Sequence, residues 1–249
     1  MIWQECDGAQ AIRPIAGRLW RLVESQEQVA TLELVDTLEE QILLEDMLET
    51  SKPAYATHDD GLHYLLKTPF RYPPLPWGSR FGSTHERGIF YAGKSISTAL
   101  AESAFYRLVF WHSMQAPPVK QVMRSEHTLF SVDYRTPMGI RLQDSPFDRH
   151  EAALRHPAEY QPTQQLGQAM REAGVHAFEY LSARDANKGI CIGLFDSDVF
   201  VQQQPLTIQP WLCQLNANEV SFKANHGTEL YRFGIEQFLF HDELPRPSA

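Results

Sequence analysis

Arg80, Tyr91 and Glu102 follow one another at intervals of eleven residues within GSRFGSTHERGIFYAGKSISTALAESAFYR, the stretch from Gly78 to Arg107. Arginine's planar fork suits bidentate phosphate recognition. A tyrosine ring can stack on a flat base. A carboxylate can hold ribose hydroxyls and stabilise an oxocarbenium-like sugar, as glycosyl transfer requires. Brought together, the three side chains could hold a dinucleotide and strain its glycosidic bond. Each also has a plainer reading: Arg80 pairing with a surface acid, Tyr91 filling a core, Glu102 on a solvated helix face. Spacing alone does not choose between them. Arg71 and Tyr72, a little upstream, add a further cation and ring to the candidate set.

These residues need elements to position them. Gly88 to Gly93 reads as a short strand, and Ser97 is a plausible cap for a helix carrying Leu100, Ala104, Leu108 and Trp111. The segment TPFRYPPLPWGSRFG before it holds four prolines and two glycines, so it reads as a loop and not as a regular helix. Its aromatic residues favour packing, and Gly78 and Gly82 beside Arg80 permit close approach of a ligand. Further along, Thr128 to Tyr134 alternates as a strand, Thr163 to Glu172 reads as a helix stopped by Gly174, and Val175 to Leu181 and Gly189 to Phe195 read as strands around the polar loop SARDANKG. Near the amino terminus, Leu19 to Val23 is a short apolar segment, followed by the capping-box spacing of Ser25 and Gln28. That spacing predicts a long helix through Val29, Leu32, Val35, Leu38, Ile42 and Met47, ending at Pro53. Its acids Glu39, Glu40, Glu45, Asp46 and Glu49 are either a solvated face behind a core-packed stripe or a surface for a basic partner. Strands and helices mix without βαβ alternation, which predicts an α+β protein. We expect a single domain over residues 1–244, with its core within 15–200 and a frayed tail at 245–249.

Composition narrows the functional classes. Of 249 residues, 43% are hydrophobic and 21% charged, which is ordinary globular usage. A formal net charge of -9 argues against a broad nucleic-acid footprint, so direct nucleic-acid binding is not expected. No apolar run approaches the roughly eighteen residues that span a bilayer, and MIWQECDGAQ lacks the basic start of a secretion signal. The three cysteines, Cys6, Cys191 and Cys213, form no CxxC pair and suit a reducing cytoplasm. Ten histidines invite a metal, but His58 and His63 are five apart and share no helical face, so no metal site is expected. Phosphate-loop, GxGxxG, HExxH and GxSxG patterns are missing.

The succession GSRFG, IFYAG and STALAE resembles the core of the RES domain family, named for an arginine, a glutamate and a serine. The best-matched window is about thirty residues, with weaker similarity on both flanks. By that resemblance Arg80, Tyr91 and Glu102 are the pocket's arginine, tyrosine and glutamate. The serine falls at Ser182 in EYLSARD, where this chain has Leu181 in place of the family's usual proline. RLWRLVE resembles the family's opening strand, whose basic residue is Arg21, or failing that Arg18. The resemblance implies an ADP-ribosyltransferase-like fold of mixed or antiparallel sheets with flanking helices. It also implies a toxin of a bacterial toxin-antitoxin pair that consumes NAD, by hydrolysis, by phosphorolysis or by transfer of ADP-ribose to a protein, and is held inactive by an Xre-type helix-turn-helix antitoxin. A homodimer and a non-catalytic partner-binding protein are the other readings. The acidic helix and proline-rich loop make this chain longer than compact members of the family.

Overall fold

The computed structural model describes residues 1–25, 34–55, 59–116, 118 and 120–246. Its regular elements are α1 (Ile2–Glu5), β1 (Arg13–Glu24), α2 (Leu38–Ser51), α3 (Tyr64–Arg71), β2 (Phe90–Gly93), α4 (Ile96–His112), β3 (Met123–Arg141), α5 (Glu151–Leu154), α6 (Gln161–Glu172), β4 (Ala177–Leu181), β5 (Ile190–Leu194), β6 (Thr207–Leu215), β7 (Glu219–Ala224) and β8 (Leu230–Gly234). The architecture is α+β. The eight strands form one sheet in the order β1-β2-β5-β4-β3-β6-β7-β8, with β1 also paired to β3.

That extra pairing gives the sheet its shape. Strand β3 runs antiparallel to β1 from His127 to Gly139. On its other edge it takes β6 from Met123 to Ser131 and then, in parallel, β4 from Gly139 to Arg141. The first five strands therefore close on themselves, and β6, β7 and β8 extend the sheet from the near half of β3. Closure is loosest between β1 and β2, where Trp20 and Gly93 are the one paired register.

Residues in the middle of β3 are buried without alternation because both faces are covered. Leu129 joins the cluster beneath α4 with Phe105, Leu108 and Phe222, while Phe130, Val132 and Tyr134 join the opposite cluster with Leu66 and Phe90. Full burial of side chains such as Phe105 and Leu108 stabilises the fold by about 1.5–3 kcal/mol each. A third cluster joins α6 to β4 through Leu166, Met170, Phe178 and Phe81.

Several expectations need correction. Helix α2 begins at Leu38, capped by Thr37 Oγ1 accepting from Glu40 N at 3.1 Å, and not at Ser25; Gln28, Val29 and Leu32 lie outside the described residues. Nor does it press one apolar face on the core. Leu38, Ile42, Leu43 and Met47 are all at least 60% exposed, because apolar and acidic side chains are distributed all round the helix and leave no single stripe to bury. The proline-rich stretch is not wholly loop, since Thr68 to Arg71 complete α3 with Pro69 inside it. Burial of Leu65, Leu66 and Phe70 holds this short helix against the hydrogen bond that proline forfeits. Helix α4 is capped by Ser95, whose Oγ accepts from Thr98 N, and not by Ser97.

Candidate active site

Where β1 and β2 part, a cavity of about 310 Å³ opens. Arg21 from β1, Tyr91 from β2, Glu102 and Tyr106 from α4, Tyr180 from β4 and Cys191 from β5 line it, with Leu75, Trp77 and Arg80 from the loop before β2.

Glu102 is fixed from below. Ser182, fully buried just after β4, donates from Oγ to Glu102 Oε1 at 2.5 Å. Cys191 Sγ also faces Oε1, at 3.6 Å. Among the described residues no hydrogen-bond donor reaches Glu102 Oε2. Burial, with the Glu102 carboxylate beside it, pushes the Cys191 thiol well up, so it stays protonated.

Ser182 is itself held by the turn that follows it. Its Oγ accepts from Arg184 N at 3.0 Å and Asp185 N at 2.9 Å. Asp185 Oδ2 in turn accepts from Thr98 Oγ1 at 2.9 Å. Thr98 and Glu102 are four residues apart on α4, hence on one face. The SARDANKG loop thus grips that face at two points one turn apart and sets the serine against the carboxylate.

Tyr91 Oη accepts from Phe81 N at 3.0 Å and is hydrogen-bonded to Ser79 Oγ at 2.9 Å, which ties the ring to the turn carrying Arg80. Burial raises its phenol to about 12. Gly78, at φ +73, makes that turn possible: a Cβ there would strike Gly82 O.

The two pocket arginines differ. Arg80 is 8% exposed, donates from Nη1 to the carbonyls of Leu154 (3.2 Å) and His156 (2.8 Å), and lies 4.7 Å over the Tyr160 ring. It is clamped by neutral groups. Arg21 donates from Nη1 to Tyr91 O at 2.7 Å and lies 4.8 Å over Phe90, but its buried Nε has no partner and, among the described residues, no carboxylate pairs with it. Burial depresses its pKa to about 10, which still leaves a cation at neutral pH and one that an anion would stabilise.

The remaining candidates lie elsewhere. Arg18 is exposed and bound bidentately to Asp133, at 2.8 and 3.3 Å, so Arg21 and not Arg18 lines the cavity. Arg71 is turned away: it pairs with Glu49 at 2.7 Å, donates to Pro53 O and covers the Tyr55 ring at 4.1 Å. Tyr72 lines a separate cavity of about 210 Å³ that also touches Arg21. Sequence reasoning missed Tyr106, Tyr160 and Tyr180. Tyr106 carried a signal, standing four residues after Glu102 on the same helix face; the other two come from distant segments with no local sign.

The α+β sheet thus sets a carboxylate braced by a buried serine, and an arginine with no carboxylate partner among the described residues, in the wall of one cavity. The RES domain matches residues 53–216, about two thirds of the chain, and the chain belongs to that family. Arg80, Tyr91, Glu102 and Ser182 fall inside the matched range and Arg21 outside it. No curated protein matches the chain by sequence. A similar solved structure is the M. tuberculosis MbcT-MbcA toxin-antitoxin complex, at 10% identity and a TM-score of 0.49 over 87% of this chain and 92% of that one.

Proposed function

We propose that this chain consumes NAD by breaking the bond between nicotinamide and its ribose, and that it does so as the toxin of a bacterial toxin-antitoxin pair. The observation that carries the reading is Glu102: its Oε1 is occupied by Ser182, and its Oε2 is open to the same cavity that Arg21 enters.

Nicotinamide in NAD is cationic and leaves readily once the C1′–N bond lengthens. The electron pair of that bond passes to the ring nitrogen, and positive charge develops on the ribose. Glu102 accepts hydrogen bonds from the ribose hydroxyls through Oε2 and stabilises the oxocarbenium-like state. Ser182 keeps the carboxylate from turning. Tyr91, fixed through its hydroxyl, presents its ring to the nicotinamide, and Arg21 meets the pyrophosphate. Arg80 braces the turn that carries Tyr91's partners and acts as a positioning residue. Water then bonds to C1′ and releases a proton, giving ADP-ribose; phosphate in its place gives ADP-ribose 1''-phosphate. No metal is needed for such a leaving group.

Incubating the purified chain with NAD, with and without phosphate, should release nicotinamide with one of these products, and Glu102→Gln should stop the release while keeping the fold. Turnover by that variant at the native rate overturns the assignment. An ADP-ribosylated protein detected by intact mass, with no free ADP-ribose, would favour mono-ADP-ribosyl transfer. Absence of NAD loss at any concentration would favour a non-catalytic binding role. For the toxin reading, expression should arrest growth, and co-expression of a cognate Xre-type helix-turn-helix antitoxin should relieve the arrest.

A further inference from the structure

The second cavity beside Arg21 is unexplained by the cleavage chemistry. Its floor is Val23 and Thr128 from β1 and β3, and its wall is Leu65, Thr68 and Pro69 of α3 with Tyr64 and Tyr72 at the two ends of that helix. Both tyrosines are large rings left exposed, at 42% and 40%. Glu24 stands at the rim, its carboxylate largely in solvent and accepting from Arg107 Nη1 at 3.2 Å. Arg21 lines this cavity and the catalytic one alike, and its buried Nε lacks a partner.

A dinucleotide has two flat bases, two riboses and a pyrophosphate between them. Two cavities of about 310 and 210 Å³ that share one guanidinium, with no carboxylate partner among the described residues, repeat that layout. Resting on the NAD reading above, we infer that the smaller cavity receives the adenosine end of the dinucleotide, with Arg21 at the pyrophosphate between the two. The adenine enters between the tyrosine rings at the ends of α3, and Glu24 accepts from the adenosine ribose hydroxyls. The cavity therefore gives α3 a function: the helix builds the half of the substrate site that bears no chemistry.

Calorimetric titration of adenosine monophosphate and of nicotinamide mononucleotide into the full chain tests this without needing turnover. Val23→Trp fills the floor of the smaller cavity, and Tyr72→Ala removes one ring at an exposed position, so the second variant serves should the first fail to fold. With one stacking ring removed, adenosine monophosphate should bind about five- to 150-fold more weakly to Tyr72→Ala. Val23→Trp should abolish its binding, and nicotinamide mononucleotide should bind both variants as it binds the native chain. Adenosine monophosphate that fails to bind the native chain at millimolar concentration, or binds both variants unchanged, overturns the inference. A chain that cleaves NAD while adenosine monophosphate ignores both substitutions keeps the reaction and loses this subsite; the reverse pattern keeps the subsite and loses the reaction.

Discussion

Glu102 and Ser182 are eighty residues apart in the chain and 2.5 Å apart in space, and the direction of their hydrogen bond assigns their parts. The serine hydroxyl spends its proton on Oε1 and accepts two backbone N–H groups, so it is a strut for the carboxylate and not a nucleophile in waiting. Ser182→Ala removes a hydrogen bond to a charged group, worth about 1.5–3 kcal/mol, so kcat for NAD loss should fall about ten- to hundredfold with a smaller change in KM. Stopped assays on protein shown folded by circular dichroism read this split, and an unchanged kcat would reduce the serine to packing. That Arg80, Tyr91 and Glu102 would meet in one cavity was visible in their types and in the family resemblance of their surroundings. How each is held was not, because the partners are Leu154 and His156 carbonyls, the Ser79 hydroxyl and a serine from the loop after β4, and nothing in a local window fixes such long-range bonds.

Helix α4 and the loop between β4 and β5 are the elements whose fit makes the site. The loop returns to β5 through Gly189, where a Cβ would run into Thr98 Oγ1 and Asp185 Oδ2. Gly189→Ala should therefore push the loop off α4. We expect about 1–3 kcal/mol of lost stability in urea titration, with NAD turnover lost beyond what the unfolded fraction explains. An alanine variant of native stability and activity would show that the loop yields freely. Strand β2, helix α4 and the β4–β5 hairpin were legible because period and turn residues agree there. Strand β6 was not, since Pro210 interrupts TIQPWLCQL, yet it stands opposite Thr128 in the ladder with Trp211, Cys213 and Leu215 buried on alternate positions. The start of α2 at Leu38 escaped because Thr37 with Glu40 offers a capping signal equal to that of Ser25 with Gln28.

For the molecule as a whole, His127 ties the far end of α4 to β3. It is 5% exposed and its Nε2 accepts from Arg107 Nη2 at 2.8 Å, and burial, reinforced by that guanidinium, lowers its pKa from 6.5 to about 4. The unfolded chain thus binds a proton between those values that the folded chain refuses, so stability present above pH 6.5 drains as pH falls toward 4. Glu179 adds to the same trend at lower pH: burial alone would raise its carboxyl, but hydrogen bonds from Lys94 and Tyr134 hold it below the usual range. Melting temperature should fall between pH 7 and pH 5, and His127→Gln should flatten that fall; an equal slope in both proteins would locate the loss elsewhere. The closed pairing of β1 with β3 bears on the order in which the protein comes into being. Arg21 is made early, its strand waits for residues 127–139 before it has a ladder, and Glu102 has no serine until the chain has passed residue 182. Contacts of such high sequence separation form late. A nascent or truncated chain that stops short of the β4–β5 hairpin therefore carries Arg21, Arg80, Tyr91 and Glu102 without the serine that holds the carboxylate, so the cavity is assembled only once most of the chain has been made.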